Sequence, residues 1–101
     1  MTAKEFDMIL KERINQIQIV LGTKAGEYAT NNDRLHNFKV AAQEFGSTAE
    51  EACKGYMLKH WMSIRDMILG ERKVTVEMVD EKIGDAINYL ILLEAILKEK
   101  L

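Results

Sequence analysis

The chain has no proline, one cysteine and six glycines among its 101 residues, and only 7% of it is aromatic. Without proline nothing forces a break in a helix, so long periodic segments can run uninterrupted. The single cysteine, Cys53, excludes an intrachain disulfide. With no CxxC partner and no histidine base nearby in sequence, it reads as a small buried apolar residue. Excess positive charge is also missing: 14 Lys and Arg stand against 16 Asp and Glu, which argues against general DNA or RNA binding. No apolar run approaches the roughly 20 residues that span a bilayer. The opening MTAKEFDMILKER lacks a basic region followed by an apolar segment, so no secretory signal is read and the cytoplasm is the expected location.

What is present is an ordinary globular composition, 48% apolar and 30% charged, at a length that makes one domain. Periodicity predicts four helices. The first, Lys4 to Leu21, aligns Phe6, Leu10, Ile14, Ile17 and Leu21 on one face. Gly22 is expected as its left-handed cap, followed by a connection through Asn32 that contains Glu27 and Tyr28. Asn32 or Asp33 is expected to cap a second helix, Arg34 to Phe45, with Leu35, Phe38, Ala42 and Phe45 as its stripe. Ser47–Glu50 and Thr48–Glu51 are overlapping capping-box patterns that start a third helix, Ala49 to Leu69, closed by Gly70. Thr75 caps a fourth, Val76 to Lys100, whose Val79, Ile83, Ala86, Ile87, Leu90, Leu93 and Leu97 recur at three- and four-residue steps. Short later connections and no alternating strand pattern give an all-α, four-helix bundle. The segment AINYLILLEAIL carries more apolar surface than three short helices cover, so completion by a homodimer or higher homo-oligomer is expected, with the fourth helix at the interface.

Polar residues interrupt the apolar pattern in two places. On the fourth helix, Glu81, Asp85 and Asn88 follow one helical row and Lys82, Asp85 and Tyr89 another. On the third, Lys59, Ser63 and Asp66 form a row with His60 beside it. If the two helices are antiparallel neighbours, Asp66 approaches Glu81 and Asp85, and carboxylates brought together suit a Mg²⁺ completed by waters and substrate phosphates. The competing reading is a set of ion pairs, Asp66 with Arg65 or Arg72 and Asp85 with Lys59 or Lys82. His60 has no second ligand at helical spacing, so zinc is not expected.

The succession DRLHNF (33–38), KHWMSIRDM (59–67) and EKIGDAINYLILL (81–93) resembles the small nucleotide-modification-associated domains of phages and prophages. More distantly it resembles the MazG-like all-α nucleoside triphosphate pyrophosphohydrolases. The resemblance runs from about Glu27 to Leu93 and implies a MazG-like bundle. By that comparison Asp85 matches the aspartate of the ExxD metal motif while Lys82 stands where its glutamate belongs. Ser63 and Asp66 fall on the upstream ExxE positions. Two of the four metal carboxylates are thus replaced. What the resemblance implies is a nucleoside phosphate site with Asp66 and Asp85 as Mg²⁺ contacts and Arg34, Lys59 and Lys82 as phosphate neutralisers. His60, Ser63, Asn88 and Tyr89 complete its ligand-binding set. The alternative is a non-catalytic phage interaction module that sequesters a nucleotide or binds and blocks a host protein.

Overall fold

The structure is a computed structural model in which residues 1–22 and 33–101 are described; the expected connection, with Glu27, Tyr28 and Asn32, lies outside the described residues. Among the described residues the fold is all-α, with four helices: α1 (Ala3–Leu21), α2 (His36–Phe45), α3 (Ala49–Ile68) and α4 (Val76–Glu99). None is long and apolar enough to cross a membrane. The chain divides into two compact units, Met1–Asn32 and Asp33–Leu101, described in turn.

The first unit holds α1. A capping box fixes its start: Thr2 Oγ1 accepts from the Glu5 N–H at 3.1 Å, and Glu5 Oε2 accepts from the Thr2 N–H at 3.0 Å. Both donors would otherwise be orphaned at a helix N-terminus. At the other end Gly22 is extended, with φ −80° and ψ −157°, rather than left-handed as expected. Its N–H still bonds the Gln18 carbonyl at 2.8 Å, and a Cβ there would overlap that same oxygen. Close approach, not positive φ, is what calls for glycine. No residue of α1 is buried.

The second unit is built on α3 and α4. They run antiparallel, since Glu50 pairs with Lys100 near one end while His60 meets Asp85 farther along. Thr48 Oγ1 accepts from the Glu51 N–H at 3.2 Å and Thr75 Oγ1 from the Met78 N–H at 3.2 Å, so both starts fall where the Ser/Thr signals put them. Gly46 and Gly70 end α2 and α3 at φ 61° and 71°. In each case the next N–H reaches back to a carbonyl five residues earlier, Ser47 to Ala42 and Glu71 to Asp66, both at 2.9 Å.

Helix α2 starts at His36, two residues later than expected. The Asp33 carboxylate accepts the Leu35 N–H at 2.9 Å and its carbonyl the His36 N–H at 3.1 Å, which holds residues 33–36 in a turn before the helix begins. Lys39 draws the Asp33 carboxyl below its usual range by a 2.6 Å side-chain bond, and bridges at 2.6 Å to Glu99 of α4. The Asp33 contribution is therefore present above the ordinary aspartate pKa and is lost as pH falls through the lowered value.

Leu35, Phe38, Cys53 and Ile96 form the buried core cluster, with Ala49, Ala52, Met57, Tyr89, Leu92 and Leu93 packed around it. Two expectations are corrected here. Phe45, assigned to the α2 stripe, is 83% exposed. On α4 the core face is centred on Tyr89, Leu92, Leu93 and Ile96, while Leu90 and Leu97 are about half exposed and Val79 is exposed as well. The second half of α4 is apolar nearly all round, so spacing alone could not select which arc turns inward.

Cys53 is completely buried and donates its thiol to the Tyr89 carbonyl of α4 at 3.5 Å. Burial pushes that thiol above its usual pKa. A larger side chain there must push α3 from α4, so Cys53→Leu is expected to destabilise the protein by about 1–3 kcal/mol in urea unfolding. Thr75→Ala, which removes only a cap, is expected to cost about 1 kcal/mol at unchanged m-value.

Candidate functional site

The arc of α4 that forms the core changes character toward its N-terminus. Lys82, Asp85, Tyr89, Leu92 and Ile96 lie within a narrow sector of the helix, at steps of three and four residues. Apolar at the Ile96 end, the sector becomes aromatic at Tyr89 and charged at Asp85 and Lys82. The facing sector of α3 carries the buried Cys53 and Ile64 with His60 between them.

The rings organise this junction. Tyr89 lies against Tyr56 with centroids 6.2 Å apart and planes 5° from parallel, and against His60 at 5.4 Å and 26°. Phe38 of α2 meets Tyr56 and Tyr89 edge-on at 5.9 and 6.5 Å. Each such pair contributes about 0.5–1.5 kcal/mol beyond its buried area, enough to fix the ring orientations. Burial first, and then the Asp85 carboxylate, raises the Tyr89 hydroxyl above the usual phenol range. Tyr89 is therefore a neutral hydrogen-bonding group at physiological pH.

His60 is the α3 side chain that meets Asp85: its Nδ1 lies 3.4 Å from Asp85 Oδ2. That contact is not a formed hydrogen bond: the same Nδ1 is shut off from water with no hydrogen-bond partner. The Asn88 Oδ1 is in the same condition. Burying an unsatisfied polar atom costs about 1–3 kcal/mol; these two lie on the paired helices α3 and α4, and Glu50 Oε1 in the first turn of α3 is in the same condition. Lys82 is 17% exposed at its side chain, and its Nζ lies 3.5 Å from Glu81 Oε1.

The Lys59, Ser63 and Asp66 row sits apart from this junction. At 3.6 residues per turn the three positions are turned roughly 60–120° from His60 round α3, and Asp66 lies about 9 Å beyond it along the axis. Lys59 is exposed, and Ser63 Oγ donates to the Lys59 carbonyl at 3.4 Å, a bond within the helix. Asp66 is half-buried in the last turn of α3, where the helix dipole disfavours a carboxylate. No ion pair joins it to Arg65 or Arg72 among the described residues. Arg34 stands exposed in the turn before α2. The structure thus brings together His60, Asp85 and Tyr89, with Lys82 and Asn88 on the adjoining turns.

Among the described residues no three His, Cys, Asp or Glu side chains gather closely enough to hold a metal. Mg²⁺ takes oxygen ligands in near-octahedral geometry. With Asp85 turned to an imidazole and Lys82 on the preceding turn, the residues present do not fit a resident Mg²⁺. Tyr56 is a contributor that sequence reasoning missed, although its i, i+4 spacing from His60 places both rings on one side of α3.

Two clefts lie elsewhere on this unit. One, of about 280 Å³, is lined in part by Lys39, Glu50, Glu99 and Lys100. Its cations are already matched, Lys39 by Asp33 and Glu99, Lys100 by Glu50. The other, about 470 Å³ and open, is lined by Asn37, Val40, Ala41, Glu44, Phe45 and Tyr56.

No family model, no curated protein and no solved structure matches this chain.

Proposed function

We propose that the chain binds a nucleoside phosphate on the α3–α4 face around Tyr89, at a site that is degenerate with respect to pyrophosphohydrolase chemistry. The supporting observation is the junction itself: one helical face runs from the Ile96 core into Tyr89, Asp85 and Lys82, opposite His60, and leaves two buried polar atoms unpaired. A planar base suits the aromatic rings, whose faces accept any π system. Phosphate suits Lys82, and His60, Asn88 and Tyr89 supply hydrogen bonds that orient the ligand; Arg34, Lys59 and Ser63 lie outside this junction. Asp85 keeps His60 in place. With Lys82 and Ser63 at the positions of two metal carboxylates, binding without turnover is the reading the residues favour.

A second reading is an interaction module that blocks a host protein. It is favoured by a specific surface, the open cleft where Val40, Phe45 and Tyr56 expose apolar area. Homo-oligomerisation accompanies either reading, supported by the exposed apolar side chains of α1 and α4, Leu90, Ile91 and Leu97 among the latter.

Thermal unfolding with a panel of nucleoside mono-, di- and triphosphates, each with and without Mg²⁺, tests the proposal. A ligand at about a hundredfold excess over its Kd is expected to raise Tm by roughly 10 °C or more. Lys82→Gln should weaken that ligand at least about tenfold, the loss of one charge-assisted contact. Asp85→Asn removes the charge beside His60 and Lys82, and should change affinity or stability with no rate to lose. Pyrophosphate release from a nucleoside triphosphate by the unmodified protein with Mg²⁺ would overturn the non-catalytic reading; a panel with no shift would overturn nucleotide binding.

A further inference from the structure

We draw no further inference here: the strongest candidate, the cleft between α2 and α3 lined by Asn37, Val40, Ala41, Glu44, Phe45 and Tyr56, is a largely apolar surface patch, and nothing in the structure shows what covers it.

Discussion

The close approach of α3 to α4 at Cys53 is the constraint on which the second unit depends. A wholly buried side chain of that size, with its thiol against the Tyr89 carbonyl, lets the backbones come near enough for the Tyr89 ring to lie against two rings of α3. Everything nearby takes its position from that contact. Phe38 fits edge-on against the rings and carries α2 onto the pair, and Ile96 fills the space on the far side. The short α3–α4 connection makes the antiparallel pairing easy; the small cysteine sets how tight it is.

The candidate site grows out of the same packing. Below Tyr89 polar groups enter the face shared by the two helices, and His60 meets Asp85 between the buried Cys53 and Ile64 of α3. Their burial has a cost, visible in the unpaired His60 Nδ1 and Asn88 Oδ1. At the other end of the pair, ion pairs join Glu50 to Lys100 and Lys39 to both Asp33 and Glu99, while Glu50 Oε1 is itself buried without a hydrogen-bond partner. These are exposed pairs in high dielectric that tie helix ends together and contribute little each.

A chain this small buries few side chains, and among the described residues six apolar ones are buried, Cys53 completely. Helix α1 adds none to them. Its capping box secures the N-terminus, yet one reciprocal cap contributes only about 1 kcal/mol, far below what a packed face supplies.

Sequence by itself determined the elements. Thr48 and Thr75 cap where their spacing to the first turn says they should, Gly46 and Gly70 end α2 and α3 in the left-handed conformation, and the absence of proline leaves α3 and α4 unbroken. These are local effects, settled within a few residues by hydrogen-bond supply and backbone sterics. The polar interruption of α4 was legible as well, because Lys82, Asp85 and Tyr89 break an apolar period. The rotation of each helix about its axis was not. Only the tertiary structure decided that Ile96 turns inward while Leu90 stays half exposed, and that His60 meets Asp85 while Asp66 stands about 120° round α3 and about 9 Å along it. Periodicity specifies which residues share a face; the choice among nearly equivalent apolar arcs is made by the volume and shape of the partner, here a cysteine and two flat rings that admit Tyr89 where a larger side chain would have turned the helix.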